Sequence, residues 1–330
     1  MKGTLAIHYG LLNMVNQTNQ MSEGAHILSR FDELVIQGIY SGPDMVTQHE
    51  ILRLINKPVW AYIPMSKGGT QTITGVLNEM DQIMQVFSDQ GNSDLLKGFF
   101  LDEFGFDYTF NDGVTTRNID RDYQNQAVSG AHQRGKPVFV NAWFTSHVFT
   151  PRQPPWYGYT EGTPLADPLV GSTKYTDYVL CESPIITAWT SGSPTYTYTK
   201  LVDYLENIQK YVIEDGRNVR TAAIQSFDWS SVLIDSSSGK VSAPQEVLGR
   251  MKDYLTLMEL AGIEYFGVAD VGYGASTNKL FNPLNEDRSP VEDFPTGSPS
   301  ETQIIFRDPY IIVQVGSQTF KFDYDWRLAK

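Results

Sequence analysis

The amino-acid sequence predicts an α/β protein, a (β/α)8 TIM barrel with a C-terminal β-rich appendage. Short apolar runs rich in β-forming residues alternate with segments of helical spacing, and eight such runs occur. No glycine-rich phosphate loop follows the first run, which disfavours the nucleotide-binding form of an open sheet. The 330 residues, 41% of them hydrophobic, suffice for one large core or two modest ones. An open doubly wound sheet remains the alternative.

The eight predicted strands are almost continuously apolar, as expected of strands covered on both faces. They span residues 4–9, 34–39, 59–63, 98–101, 138–142, 178–181, 221–225 and 265–269. The predicted helices lie between them, at 25–31, 45–55, 76–87, 123–132, 201–213 and 247–261. In the helix at 201–213, one apolar stripe is formed by residues at three- and four-residue steps, namely Leu201, Leu205, Ile208 and Val212.

Two regions depart from this alternation. Residues 149–173 contain PRQPPWYGYTEGTPLADPLVG, which is too long and too rich in proline, glycine and aromatics for a simple connection. We expect an aromatic loop inserted over the barrel mouth. The predicted domains are therefore the barrel at 1–277, with this insertion, and a linker with a small β-hairpin appendage at 278–330, for which three strands are the alternative. Residues 302–326 should form antiparallel strands outside the barrel.

Composition and charge exclude several classes of partner. A net charge of −13 argues against nucleic acid and anionic membranes. Cys181 is the only cysteine, so one chain can build neither a disulfide nor a cysteine metal site. With no apolar run of about 18 residues and an N-terminal MKGTLAIHYG too short for a signal peptide, we expect a soluble chain without membrane insertion or export signal. These features do not determine the cellular compartment, and our hypothesis is an extracellular or virion-associated location.

Carboxylates and aromatic residues follow the apolar runs at the strand ends. The stretch GFFLDEFGFDY places Asp102 and Glu103 at the end of strand four, and Glu182 ends strand six. In a (β/α)8 barrel these ends form the active face. The other candidates for binding at this face, including two in loops, are His8, Tyr9, Tyr40, Tyr62, Asn141, Trp143, Trp156, Trp189, Gln225, Asp228, Asp270 and Tyr273. Taken singly, such a tyrosine or tryptophan packs beneath a loop as often as it binds a ligand, and a lone aspartate is often a helix cap.

The spacing of the carboxylates favours chemistry on sugars. Strands four and six start roughly 9–10 Å apart, and their side chains can lean to the separation that glycoside hydrolysis needs. Successive strand residues point to opposite faces, so Asp102 and Glu103 can both face the axis only if the strand ends or bulges there. Aromatic residues near the strand ends and in the loop would supply the walls of a carbohydrate cleft.

Other catalytic arrangements fit poorly. No two of the five histidines stand at ligand spacing, and His26, His49 and His132 fall in helices outside the barrel, so we expect no metal and no cofactor. A G-x-S-x-G elbow is missing, which disfavours acyl transfer of that type. No lysine ends a predicted strand, which disfavours Schiff-base chemistry.

The order of these motifs resembles a known family. The runs LAIHYG, LVIQGIYSGP, VWAYIPM, GFFLDEF, VFVNAWF, DYVLCES and YFGVADVGYG are similar to the spherulin-4-like glycoside hydrolases of family 135 and, more distantly, to the endo-α-1,4-polygalactosaminidases of family 114. The resemblance spans residues 4–275 and implies that Asp102, Glu103 and Glu182 line the cleft and cleave amino-sugar polymers. Three features depart from it: Ala142-Trp143 after the strand-five asparagine, the aromatic loop, and the β-rich tail.

The sequence therefore predicts a glycoside hydrolase that cleaves a polysaccharide, with amino sugars as the expected units. We expect Glu103 as general acid, Glu182 as nucleophile or base, and Asp102 in a hydrogen bond to the sugar or to its neighbour. The aromatic loop would offer Trp156 or Tyr157 as a stacking platform. The alternative is a non-catalytic carbohydrate-binding or structural barrel of a phage tail or extracellular assembly, attached to an assembly partner through the β-rich tail.

Overall fold

A computed structural model shows a closed barrel of eight parallel strands, which confirms the predicted fold class and rules out the open sheet. It describes residues 3–38, 42, 44–149, 168–169, 174–184, 186–190, 193–196, 199–227, 233–238, 240–270, 280, 302–307 and 310–322. With strands numbered along the chain, the barrel consists of β1 (Gly3–His8), β2 (Glu33–Ile36), β3 (Val59–Pro64), β4 (Leu96–Asp102), β7 (Val138–Asn141), β8 (Asp177–Glu182), β11 (Val219–Phe227) and β14 (Tyr265–Asp270). Each pairs with the next, and β14 returns to β1.

The helices lie between the barrel strands as the sequence predicts. They are α1 (Met21–Ser29), α2 (Met45–Ile55), α3 (Ile73–Asp89), α4 (Arg121–Gln133), α5 (Ser146–Phe149), α6 (Thr199–Asn207) and α7 (Gln245–Leu260). The short α5 was not predicted, and the helix expected at 201–213 is divided into α6 and a π-helical segment, Ile208–Glu214. Short 3-10 segments occupy Leu12–Gln17, Lys67–Gly69 and Ser93–Leu95. Among the described helices, none combines the length and apolarity needed to cross a bilayer.

Two apolar cores lie on the two faces of the barrel wall. The larger packs the helices against the outer face, and the smaller fills the interior with alternate strand residues. This alternation fixes which strand-end residue points inward. Inward residues include Leu5, Ile7, Trp60, Tyr62, Phe100, Phe139, Tyr178, Leu180, Ala222 and Ile224.

Among the described residues, three two-stranded hairpins extend the connections on the carboxyl side of the barrel. They are β5 (Thr109–Asn111) with β6 (Thr116–Asn118), β9 (Ile186–Thr190) with β10 (Ser193–Tyr196), and β12 (Leu233–Asp235) with β13 (Lys240–Ser242). The hairpins follow β4, β8 and β11. Two of them therefore lie next to the strands that end in Asp102 and Glu182. Most of the predicted aromatic loop, residues 150–167 and 170–173, lies outside the described residues.

The C-terminal region forms a three-stranded antiparallel sheet, the second of the two forms that the sequence left open for this appendage. Its strands are β15 (Thr302–Arg307), β16 (Tyr310–Val315) and β17 (Gln318–Phe322), in that order. A third strand forms because the tail is long enough to turn twice. Ile311, Val313 and Phe322 are fully buried in the same core as the outer face of the barrel, and β16 contacts α7. The appendage is therefore packed against the barrel.

Candidate active site

Asp102 ends β4 with its side chain in the barrel mouth. It lies two residues after the inward-facing Phe100, so the strand alternation directs it inward as well. The Tyr62 hydroxyl donates to Asp102 Oδ2 at 2.6 Å, and Asn141 Nδ2 donates to Asp102 Oδ1 at 2.8 Å. Two neighbouring strands thus hold this carboxylate from both sides.

Asn141 joins Asp102 to a second carboxylate. The same Nδ2 donates to Glu182 Oε2 at 2.7 Å, and because both acceptor oxygens bond one nitrogen, they lie no more than about 5.5 Å apart. The buried Asn141 Oδ1 has no hydrogen-bond partner within the described part of the chain. If the Asn141 amide were flipped, Oδ1 instead of Nδ2 would lie between the two carboxylates and could donate to neither. This explains why Nδ2 faces them.

Glu103 leaves the strand by a left-handed turn. Its φ is +55°, a conformation that costs a non-glycine residue about 1 kcal/mol or more. Its Oε2 accepts from the backbone amides of Ser66 and Lys67 at 3.2 and 3.0 Å, in the loop after β3. The strand therefore ends at Asp102, as required for both carboxylates to stay at the mouth. Ser183, directly after Glu182, turns in the same way with a φ of +46°.

Burial raises the pKa of all three carboxyl groups. For Asp102, hydrogen bonds from Tyr62, the Glu103 backbone and Asn141 oppose the effect of burial. For Glu103, the charge of Asp102 adds to burial, and the amides of Lys67 and Ser66 oppose it. For Glu182, the charge of Asp102 again raises the pKa, whereas Lys200 and Asn141 lower it. Such displaced values are typical of groups that exchange protons in catalysis.

Three tyrosines surround the carboxylates. Tyr9 packs edge-on against Tyr62, with ring centroids 5.4 Å apart. Burial and the charges of the carboxylates raise the pKa of Tyr9, Tyr62 and Tyr108, so all three stay protonated donors. Tyr108 was not among the sequence candidates, although it closes the GFFLDEFGFDY stretch. It lies past the strand, and only the fold of its loop returns it to the mouth.

Lys200 is a second residue that the sequence did not indicate. It lies at the start of α6 and is only 2% exposed. Its Nζ donates to the backbone oxygen of Glu182 at 2.6 Å and lies 3.4 Å from the centroid of the Trp143 ring. Trp143, a predicted candidate, is 36% exposed. A residue of a helix start carries no strand-end signal, which is why the sequence missed Lys200.

Two predicted binding residues do not reach the carboxylates. His8 and Gln225 alternate with inward-facing neighbours, so both point to the outer face. His8, 2% exposed, contacts the Leu11 carbonyl oxygen through Nε2 at 3.2 Å, and burial lowers its pKa to about 4. Gln225, 1% exposed, donates through Nε2 to the Ser226 carbonyl oxygen.

The remaining candidates stay predictions. Tyr40, Trp156, Asp228 and Tyr273 lie outside the described residues, and only the backbone is described for Trp189 and Asp270. In the part of the chain that the structure describes, no group of three or more His, Cys, Asp or Glu side chains is arranged to hold a metal ion.

Comparisons with known proteins find likenesses only among solved structures, and these are weak. No family model matches this chain, and no curated protein sequence matches it. Among solved structures, the glycoside hydrolase domain of PelA from Pseudomonas aeruginosa is 13% identical with a TM-score of 0.46, covering 84% of this chain and 99% of that domain. The spore cortex-lytic enzyme SleL of Bacillus megaterium QM B1551 is 10% identical with a TM-score of 0.43, covering 86% and 72%.

An endo-beta-N-acetylglucosaminidase from Cordyceps militaris is 10% identical with a TM-score of 0.38, and the match covers 69% of each chain. Enzymes of other classes, such as a dihydroorotase, match at a comparable level. None of these likenesses decides the function, which has to come from the geometry of the site.

Proposed function

We propose that this protein is a glycoside hydrolase that cleaves a polysaccharide, with Asp102 and Glu182 as its catalytic pair. The observation that carries the proposal is the single Asn141 amide that bonds both carboxylates at the mouth of the barrel. Hydrolysis of a glycosidic bond needs one carboxyl group on each side of the anomeric centre. A purely structural barrel has no need of two adjacent, partly buried carboxylates whose charges repel each other.

The separation of the pair supports a retaining mechanism. Carboxyl groups in retaining enzymes lie about 5–5.5 Å apart, whereas inverting enzymes leave roughly 6.5–9.5 Å for a water molecule. The bonded oxygens of Asp102 and Glu182 lie no more than about 5.5 Å apart, which is below the separation in inverting enzymes. One carboxylate therefore attacks the anomeric carbon, and the other protonates the leaving oxygen and later activates water.

The hydrogen bonds distinguish the two roles. Asp102 accepts from Tyr62 and Asn141, and donors of this kind favour the charged form that a nucleophile needs. Glu182 accepts from Asn141, and burial together with the charge of Asp102 raises its pKa, which suits a general acid that holds its proton and later acts as base. The Oε2 of Glu103 accepts two backbone amides, so this carboxyl group positions the loop after β3. From the sequence, Glu103 was expected as the general acid and Glu182 as the nucleophile or base. The proposal therefore changes the roles of all three carboxyl groups.

Charge and resemblance support an amino-sugar polymer as the substrate. The net charge of −13 attracts a partly deacetylated, cationic polymer at long range. The mouth offers aromatic surface at Tyr9 and Trp143 for the apolar faces of sugar rings. The resemblance to the spherulin-4-like hydrolases of family 135 points to the same class of polymer.

A cleavage screen tests this proposal. The purified protein is incubated with amino-sugar polymers and reducing ends are measured. Asp102→Asn should lower cleavage by about 10³-fold or more, and Glu182→Gln should spare aryl glycosides with activated leaving groups far more than polymers. Asp94→Asn, which removes an exposed carboxylate, is the matched control. The first product released should keep the anomeric configuration of the substrate, which proton NMR detects.

Three outcomes would contradict the assignment. Unchanged cleavage by Asp102→Asn and Glu182→Gln would place the chemistry elsewhere. Polymer binding without any cleavage would favour the non-catalytic carbohydrate-binding barrel instead. If Glu103→Gln, and not Glu182→Gln, showed the dependence on the leaving group, Glu103 would be the general acid.

A further inference from the structure

Trp143 lies directly beside one of the two proposed catalytic residues. The Lys200 ammonium bonds the backbone oxygen of Glu182 at 2.6 Å and lies 3.4 Å from the Trp143 ring centroid. The ring centroid is therefore no more than about 6 Å from that oxygen. A sugar that contacts this ring would neighbour the sugar whose bond is cleaved.

The two faces of the Trp143 ring are not equivalent. Lys200 covers one face at a distance typical of a strong cation–π contact. Trp143 is nevertheless 36% exposed, and it follows Asn141 by two residues at the mouth. A ligand that stacks on this ring has to use the face opposite Lys200. The apolar face of a pyranose is the natural partner for such a surface in a carbohydrate cleft.

Three carboxylates and one thiol lie near the Lys200 ammonium. Burial lowers the pKa of Lys200, whereas Cys181, Glu182, Asp107 and Asp203 raise it. The three carboxylates, on β8, the loop after β4 and α6, favour the charged form. The Lys200 ammonium, with these carboxylates near it, lies 3.4 Å from the ring centroid.

This charge acts on whatever stacks in front of the ring. It draws the electron density of the indole toward itself, so the open face attracts a second cation less strongly. A sugar stacked about 4 Å above the ring would hold a free amine roughly 8–10 Å from Nζ, close enough for measurable repulsion. An N-acetylated or hydroxylated sugar carries no charge and avoids this repulsion.

We propose that Trp143 and Lys200 form a sugar-binding subsite beside Glu182 that selects an uncharged ring over one bearing a free ammonium group, with Lys200 as the specificity-determining residue. The inference rests on the proposed function, which it deepens. On a partly deacetylated polymer, the subsite places an N-acetylated unit next to the scissile bond, while the overall negative charge attracts the deacetylated units elsewhere.

Binding measurements separate this inference from the proposed function. Two pairs of hexasaccharides serve as probes, β-1,4-linked glucosamine and α-1,4-linked galactosamine, each fully N-acetylated or fully deacetylated. Calorimetry is done in an Asp102→Asn background to prevent turnover. Lys200→Gln removes the charge and keeps a donor for the Glu182 oxygen, Lys200→Met removes both, and Lys200→Arg keeps the charge. Lys174→Met, at an exposed lysine, controls for net charge, and thermal denaturation checks folding.

The measured quantity is the ratio of the dissociation constants for the deacetylated and acetylated forms. Lys200→Gln and Lys200→Met should shift it by about threefold or more toward the deacetylated form, while Lys200→Arg and Lys174→Met leave it unchanged. Binding with the same ratio in a folded Lys200→Gln or Lys200→Met protein would overturn the inference alone. Failure of all four hexasaccharides to bind any variant would overturn the proposed function and the inference with it.

Discussion

At the scale of single residues, the site depends on side-chain direction within each strand. Asp102, Asn141 and Glu182 each follow an inward-facing apolar residue by two positions, and so converge at the mouth. Glu103 breaks this alternation through its left-handed backbone, which turns its carboxylate toward the loop after β3. One strained residue thus keeps two successive carboxylates at the same rim, an arrangement that occurs at functional sites.

The raised pKa of Glu182 predicts a stability that depends on pH. Below the pKa of the unfolded chain, about 4.3, the group is protonated in both states. As the pH rises above this value, Glu182 ionises in the unfolded chain but stays protonated in the folded protein. The free energy of unfolding therefore falls until the pH exceeds the raised pKa of the folded state. Glu182→Gln should therefore stabilise the protein by on the order of 1 kcal/mol at pH 8 and by much less at pH 4.

Denaturant unfolding at the two pH values measures this difference. Glu206→Gln, at an exposed position of α6, is the control and should show no such dependence on pH. An equal or larger gain at pH 4 would mean that Glu182 is not held against ionisation.

At the scale of elements, the hairpin β5–β6 supports the loop that holds Glu103. Gly69 in this loop has a φ of +84°, and an added Cβ would lie 2.7 Å from Thr109 Oγ1 and 2.9 Å from Thr116 Cγ2. Gly68 has a φ of +66°, and nothing lies within 4 Å of an added Cβ. The two glycines therefore share backbone strain but differ in contact with the hairpin.

Replacing these glycines tests whether the hairpin positions the site. Gly68→Ala and Gly69→Ala should each destabilise the fold by about 1 kcal/mol through the backbone. Only Gly69→Ala should also lower kcat/KM for the polymer, by about tenfold, because it displaces the amides that bind Glu103. Equal kinetics for the two variants would show that the loop tolerates the contact.

The C-terminal sheet contributes to the core of the barrel. Ile311→Ala, at a fully buried position of β16, should cost about 2–5 kcal/mol of unfolding free energy. Thr319→Ala, at an exposed position of β17, should change it by less than about 0.5 kcal/mol. Truncation at Ser300 should expose this apolar face and promote aggregation. A stable, monodisperse truncation product would show that the sheet adds nothing to the fold.

At the scale of the whole molecule, the carboxylates at the two ends of the barrel differ in how they are paired. At the amino end, Glu33 accepts from Trp60, Lys97 and Tyr178, so its buried charge is fully paired. At the carboxyl end, Asp102, Glu103 and Glu182 gather negative charge. The paired end stabilises the barrel, and the unbalanced end is suited to a ligand.

The overall negative charge predicts how binding responds to salt. Raising the ionic strength from 0.05 to 0.5 M shortens the Debye length from about 14 to 4 Å and screens long-range attraction. Affinity for a deacetylated amino-sugar polymer should fall by about tenfold or more, and affinity for the N-acetylated form should change little. Calorimetry at the two salt concentrations measures both, and an equal response of the two polymers would exclude electrostatic attraction.

The sequence by itself determined the barrel, because burial on both faces leaves a continuous apolar run in each strand, and eight such runs separated by helical segments suit few other topologies. It also placed Asp102, Glu103 and Glu182 at the correct edge, since carboxyl ends of parallel strands meet there. Strict alternation could in addition have placed His8 and Gln225 on the outer face, where the structure has them.

Only the tertiary structure decided which groups act together. The shared bond from Asn141, the turn at Glu103 and the position of Lys200 behind Trp143 depend on how separate strands and a helix start meet in space. Contacts between residues distant in the chain leave no local pattern, because each is fixed by the packing of several elements at once. The sequence therefore determines the strands and helices and the edge of the barrel at which the carboxylates lie. The roles of the carboxylates follow from distances that only the closed barrel sets.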